Sequence, residues 1–327
     1  MPEGNRVKKV AVVGATGRVG KHVITSLLAS GKHQVTAITR SDSGSGSGIP
    51  DRVTIAKVSY DDPSSLTTAL SGHDALVITM AVTAPPNTQA KLIEAAAAAK
   101  VPFVLPNEWG VEPDRGTLGK DVLMGTALMA ARQKVEELGK SSWIAMVTGY
   151  WLAHSLASPN AYGFDIKNKV VTFYDRGTTK INNITWERTG EAVAGLLSLP
   201  IEPEAPGKPS LADYKNKSVF VSSWLLSQRD IFEGILRVSG AKESDWTIKY
   251  ESAVDRYEGA KQRLFAGDRS AFQTLLYART YYDNGDGDFE SRHGLDNDKL
   301  GVPKDTQETL DEQIKLALKI AEEGYKY

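Results

Sequence analysis

The sequence predicts an α/β protein: a Rossmann-type doubly wound parallel sheet with a smaller interleaved α/β substrate lobe. Three observations predict it. An apolar run at residues 10–13 stops at Gly14-Ala15-Thr16-Gly17-Arg18-Val19-Gly20 and gives way to helix-forming sequence over residues 21–29. Strand-like and helix-like segments then alternate five times before residue 106, the pattern of strands joined by helical crossovers. The best strand candidates are continuous apolar runs, as required where both faces of a parallel sheet are covered.

The first turn carries the chemistry. Gly14 permits a tight turn, Gly17 lets a pyrophosphate approach the backbone with no Cβ in the way, and Gly20 lets the helix sit close to the sheet. Thr16, Arg18 and Val19 complete the cradle. Unpaired N–H groups and the helix dipole favour negative charge at that point. The spacing is G-x-x-G-x-x-G rather than the common G-x-G-x-x-G, and a glycine triplet alone could be a turn that binds nothing. The strand before it and the helix after it favour a dinucleotide site.

Residues 34–39 alternate and are β-branched, a second strand that ends at Arg40-Ser41. In this fold the end of strand two faces the adenosine ribose, where an acid bonds the 2′-hydroxyl and an arginine pairs with a 2′-phosphate. Arg40 and Ser41, with Arg18 within reach from the glycine turn, predict NADP(H); Asp42 is the one nearby residue that argues otherwise. Residues 43–48, Ser-Gly-Ser-Gly-Ser-Gly, read as a flexible surface loop.

Residues 53–58 form a third strand, and Asp61-Asp62-Pro63-Ser64-Ser65 carries helix start signals. Residues 74–80 form a fourth strand, whose end at Thr79, Met80 and Ala81 would lie over the nicotinamide ribose. Residues 87–100 are an alanine-rich helix, and 101–105 a fifth strand. Pro106-Asn107-Glu108-Trp109-Gly110 then falls beyond the carboxyl ends of the strands, where such sheets bind ligands. Asn107 and Glu108 are candidates to orient the cofactor or to hold the loop, and Trp109 to pack.

The second half reads as strands at 169–174 and 179–184 joined across the hairpin-type turn Asp175-Arg176-Gly177. A helix follows to residue 197, then a proline-rich loop at 200–209, a strand at 218–222, a helix opened by Ser227, and a strand at 247–251; the remainder is mostly helical. The division is residues 1–150 as the nucleotide-binding domain and 151–327 as the substrate lobe, with 185–200 and 218–222 returning to the first domain.

Composition bounds the function. Thirty-nine Lys and Arg against forty Asp and Glu leave no net field to attract nucleic acid or an acidic membrane. The absence of cysteine excludes disulfides, thiolate zinc sites and cysteine nucleophiles. No apolar stretch is long enough to span a bilayer, and residues 1–9 lack a signal-peptide pattern; the expectation is a cytoplasmic protein. Asp283-Asn284-Gly285-Asp286-Gly287-Asp288 lacks EF-hand spacing and its closing glutamate, so it reads as an acidic turn and no metal is expected.

Four stretches resemble the NmrA-like and isoflavone-reductase-like branch of the atypical short-chain dehydrogenase/reductases. They are the glycine turn, Tyr60-Asp61-Asp62 with Ser65-Leu66, Pro106-Asn107-Glu108-Trp109-Gly110 with Pro113-Asp114, and residues 138–145, Leu-Gly-Lys-Ser-Ser-Trp-Ile-Ala. A weaker likeness to fungal, CipA-like members runs through Thr172-Phe173-Tyr174-Asp175, residues 196–200 and Gly294-Leu295-Asp296-Asn297. The resemblance implies an NADPH-dependent reductase of a small aromatic or carbonyl-bearing metabolite, in secondary metabolism.

One departure stands out. Reductases of this group carry a catalytic lysine on the helix after the Glu-Phe/Trp-Gly loop. With that helix anchored on Arg132 and Glu136-Glu137-Leu138-Gly139, the position falls on Leu128. At about 100° per residue, Lys134 lies on the opposite helix face and Lys120 about two turns upstream. A leucine neither donates a proton nor stabilises an oxyanion. Tyr150 and His154, four residues apart after the sixth strand and able to share a helical face, are the alternative proton donors, with Lys120 and Tyr162 behind them. The competing readings are pocket wall for the tyrosines and a backbone-bonded histidine. An aromatic set (Tyr150, Trp151, Tyr162, Phe164, Tyr281, Tyr282) suits a flat aromatic substrate or an ordinary lobe core. Two other functions remain open: an NADP(H)-sensing regulator without turnover, and a redox-neutral cyclase or dehydratase.

Overall fold

A computed structural model describes residues 4–41, 48–81, 84–85 and 87–324. The serine-glycine loop up to residue 47 and Asp42 lie outside the described residues. In chain order the first half runs β1 (Lys9–Val13), α1 (Arg18–Ser30), β2 (Gln34–Arg40), β3 (Thr54–Val58), α2 (Pro63–Leu70), β4 (Ala75–Ile78), α3 (Thr88–Ala98) and β5 (Phe103–Leu105). Then come β6 (Trp109–Gly110), α4 (Leu118–Asp121), α5 (Gly125–Leu138), β7 (Ser142–Val147), β8 (Tyr150–Trp151), α6 (Leu152–Leu156) and β9 (Phe164–Asp165). β10 (Val170–Tyr174), β11 (Lys180–Ile184), α7 (Trp186–Leu197), β12 (Lys217–Phe220), β13 (Trp224–Ser227), α8 (Gln228–Ser239) and β14 (Thr247–Glu251) follow, and α9 (Ala253–Phe265), α10 (Ala271–Thr280), α11 (Phe289–His293) and α12 (Gln307–Glu323) close the chain.

The main sheet has the order β12-β7-β5-β4-β1-β2-β3, with β6 beside β7, and every pairing in it is parallel. This is the Rossmann-type order, reversing direction at β1, the switch point beside which open α/β sheets bind ligands. Alternation along the strands divides the core into two layers. Val10 and Val12 face Val23, Ile24 and Leu27 of α1 and Val193 and Leu196 of α7. Ala11 and Val13 face Leu66 and Leu70 of α2 and Leu92 of α3. Both faces are covered, which is why the run 10–13 has no polar residue.

Local signals set several boundaries. Asp62 caps α2 by accepting from Ser64 N at 2.9 Å, Thr185 caps α7 from Arg188 N at 2.9 Å, and Ser227 caps α8 in a capping box with Asp230. From the second half, α7 lies against α1 and β12 joins the main sheet beside β7.

The expected hairpin at residues 169–184 does not form. β10 pairs with β14 in parallel and with β9 antiparallel, whereas β11 pairs with β13 antiparallel and β8 in parallel. The turn parts the two strands instead of pairing them: Asp175 N donates to Glu251 O at 2.8 Å, and Gly177 O accepts from Arg229 N at 3.0 Å. Apart from the short β9 just before β10, each strand finds its ladder in a segment distant in sequence, a choice no local pattern encodes. Tyr162, Phe164 and Tyr281 lie in the lobe core at 0–1% exposure, so the lobe-core reading of those aromatics holds. Tyr282 packs on Tyr257 and under Arg279.

No helix among the described residues is long and apolar enough to cross a membrane. Among the described residues no cluster of His, Asp and Glu could hold a metal ion; the Asp286 carboxylate is paired with Arg115 and Arg279.

Candidate nucleotide site

β1 delivers its last residue into a turn that only glycine fits. Gly14 has φ +79°, and a Cβ on it would stand 2.1 Å from Thr79 O. A Cβ on Gly20 would stand 2.1 Å from Gly14 O. The turn is closed by Gly17 N donating to Gly14 O at 2.9 Å, and Thr79 Oγ1 ties β4 to it by donating to Val13 O at 2.7 Å. Val19 is buried beneath, while Thr16, Gly17 and Arg18 are exposed on the crest. Gly17 is the N-cap of α1, no side chain caps that end, and the first turn holds no acid. The crest therefore presents backbone N–H groups and a positive helix end, with no Cβ at Gly17, which fits a pyrophosphate.

The strand ends flank this crest. Met80 O accepts from Asn107 Nδ2 at 3.1 Å, and Asn107 N donates to Gln89 Oε1 at 2.6 Å. Trp109 Nε1 donates to Ile78 O at 2.9 Å. The segment after β5 is thus stitched to the end of β4, next to exposed Ala81. Arg40 ends β2, exposed, and its positive charge bears on the half-buried Tyr60 hydroxyl. Ser41 N donates to Val58 O at 2.8 Å, which holds the end of β2 to β3.

Glu108, between Asn107 and Trp109, is turned inward. It is 2% exposed and ion-paired with Arg132 of α5, which also reaches Asp114 at 3.1 Å and Ser218 at 3.2 Å. Burial pushes the Glu108 carboxyl up, against the pull of the Arg132 guanidinium. Its contacts are those of the loop-holding alternative, not of a group facing the crest.

The proton-donor candidates are scattered. Tyr150 and His154 do not share a helical face, because Tyr150 ends in β8 and His154 sits on α6. The Tyr150 hydroxyl lies in the lobe core, hydrogen-bonded with Thr280 Oγ1 at 2.5 Å, and burial raises its pKa far above the ordinary tyrosine value. Tyr162 bonds Asn183 in the same core. Lys120 is exposed on α4, and Leu128 lies on α5 at 9% exposure. His154 faces the crest: Arg18 Nη1 stands 3.3 and 3.4 Å from its two ring nitrogens. Burial first, and the Arg18 charge second, push the His154 pKa down to about 4, so the ring is neutral near pH 7.

Two neighbours of that pair were not singled out from the sequence. Trp186, the first residue of α7, has its ring 5.6 Å from His154 and 5.7 Å from the Arg18 guanidinium carbon. His22 also stacks on Trp186, with ring centroids 6.4 Å apart. The spacing of Arg18 and His22, one turn apart on α1, was the available signal for His22; nothing local marks Trp186.

Residues 14–144 match the family described as NAD(P)H-binding. The oxidoreductase poxI of Penicillium oxalicum is 28% identical over 325 residues, covering 95% of this chain and 94% of that one. Isoflavone reductase superposes with a TM-score of 0.71 at 17% identity, over 94% of this chain and 98% of that one. The Escherichia coli NADPH-dependent quinone oxidoreductase QOR2, in complex with NADPH, gives 0.68 at 20% identity, over 94% and 98%. The chain has the isoflavone-reductase-like fold, and the NAD(P)H-binding family match lies in its first half. That bears out the resemblance read from the glycine turn and the Asn107-Glu108-Trp109-Gly110 segment, and the matched region opens at Gly14.

Proposed function

We propose that the protein is an NADPH-dependent oxidoreductase acting on a small aromatic or carbonyl-bearing metabolite, in the cytoplasm and in secondary metabolism. The carrying observation is the open crest over α1, with Arg40 at the end of β2 where a 2′-phosphate would lie. When bound, the nicotinamide supplies the hydride. Gly14, Thr16, Gly17, Val19 and Gly20 shape the pyrophosphate seat, Arg40 and Ser41 flank the adenosine ribose, and Met80, Ala81 and Asn107 border the nicotinamide ribose.

Leu128 narrows the acceptor. It offers no proton, Tyr150 is sealed in the lobe, Lys120 is exposed, and His154 is neutral against Arg18. An acceptor such as a quinone, whose anion after hydride uptake is delocalised over a ring, needs no strong acid beside it; water completes the reduction with a proton. The likeness to QOR2 supports the same acceptor class.

Anaerobic NADPH oxidation with a panel of quinones, enones and simple ketones tests the reading. Turnover with quinones and little with simple ketones is the expected outcome. Leu128 also favours a second reading, an NADP(H)-sensing regulator; tight NADPH binding with no turnover across the panel selects it.

A further inference from the structure

We infer that Arg18, held by His154 and Trp186, clamps the pyrophosphate shared by NAD(H) and NADP(H) and takes no part in reading the 2′-phosphate. The inference rests on the nucleotide reading above and divides its two arginines by task.

The two guanidinium groups have different surroundings. Arg18 follows Gly17 directly, on the crest, and its side chain turns toward α6 and α7. Its Nη1 is almost equidistant from Nδ1 and Nε2 of His154, at 3.3 and 3.4 Å. A donor in line with one lone pair would be much nearer one nitrogen, so the guanidinium lies against the imidazole. Trp186 lies beside both, 5.7 Å from the guanidinium carbon and 5.6 Å from the imidazole centre. The charge of Arg18 bears on His154, whereas that of Arg40 bears on Tyr60.

This arrangement suits a pyrophosphate. The guanidinium is a planar fork that pairs with two phosphate oxygens. It starts from the residue whose own N–H opens α1, so side chain and helix end converge on one anion. Stacking on two rings orders a long side chain before the ligand arrives, which lowers the entropic cost of binding. His154 and Trp186 come from segments after residue 150, so the clamp reaches the crest from the second half of the chain. His154 is on this account a positioning residue.

Calorimetric titration of the full chain with NADPH and with NADH separates the tasks. Arg18→Leu is expected to weaken both nucleotides by a similar factor, about tenfold for one lost charge-assisted contact, leaving their ratio unchanged. Arg40→Leu is expected to weaken NADPH alone and collapse the ratio. Trp186→Leu and His154→Ala should each weaken both nucleotides less than Arg18→Leu does, and Arg18→Lys should fall between wild type and Arg18→Leu. Thermal melts of each variant confirm that it is folded. Loss of NADPH alone in Arg18→Leu, or no change in either nucleotide, overturns the inference while wild-type binding keeps the cofactor reading. A wild type that binds neither nucleotide overturns both.

Discussion

Arg132 Nε donates to Glu108 Oε2 at 3.0 Å, and the two side chains are 3% and 1% exposed. This pair joins the loop after β5 to α5 and anchors the segment that carries Asn107 and Trp109. Its energetics follow from burial: two charges have left water and are tolerated because each satisfies the other.

Removing one partner should therefore cost far more than removing both. Arg132→Met is expected to lower stability by about 3–5 kcal/mol, and adding Glu108→Leu to recover most of the loss. In the single variant the carboxyl keeps a raised pKa without its cation. The folded state then holds a proton that the unfolded state releases, so the deficit should grow as pH rises above the ordinary glutamate range. Urea unfolding at pH 5 and pH 8 checks both points.

His154 gives a pH dependence of the opposite sign. Its pKa falls from an ordinary 6.5 to about 4 in the folded chain. Between those values the unfolded state binds more protons, so this group's contribution is complete above pH 6.5 and is lost as pH falls toward 4. His22, His33 and His73 are lowered as well, all chiefly by burial, so the informative quantity is a difference. The stability gap between wild type and His154→Phe should shift against wild type from pH 7 to pH 5, by the order of 1–2 kcal/mol after allowance for solvent screening. Thermal melts of the two proteins at both pH values measure it.

The glycine turn tolerates no side chain at Gly20. A Cβ there would lie 2.1 Å from a backbone oxygen that is itself fixed in the turn. Gly20→Ala should destabilise by roughly 2–4 kcal/mol and should abolish nucleotide binding even under conditions where the variant remains folded. Equilibrium unfolding and calorimetry read the two effects separately.

Gln228 holds the lobe together with one buried amide. Its Oε1 accepts from Tyr174 N at 2.7 Å, and its Nε2 donates to Tyr162 O at 2.7 Å and Thr172 O at 2.9 Å. Gln228→Leu keeps the volume but removes the side-chain partner of two buried backbone groups, Tyr174 N and Tyr162 O, and of the half-buried Thr172 O. A loss of about 2–4 kcal/mol is expected, with unchanged nucleotide affinity at temperatures where the variant is folded.

The legible part of the protein was the part whose determinants are local. The run 10–13, the glycine triplet and the helix after it lie within about twenty residues, and each needs only its neighbours to be recognised. The start signals at Asp62 and Ser227 marked helix starts for the same reason. The site was legible where backbone conformation decides it, at Gly14 and Gly20. It was less so where side-chain direction decides it: Glu108 sits between Asn107 and Trp109 yet turns inward to Arg132, and Tyr150 and His154, four residues apart, diverge into the lobe core and onto the crest.

The sequence by itself determined the fold class, the order of elements through β5 and the tight glycine turn after β1, because periodicity, turn chemistry and capping act over short stretches of chain. Tertiary structure decided the rest. Which strand β10 and β11 pair with, which aromatics fill the lobe core and which residues surround Arg18 all depend on segments far apart in sequence. Trp186 meets Arg18 only because α7 packs on α1. Contacts of that kind are fixed by the global packing of apolar faces, and no window of sequence contains both partners.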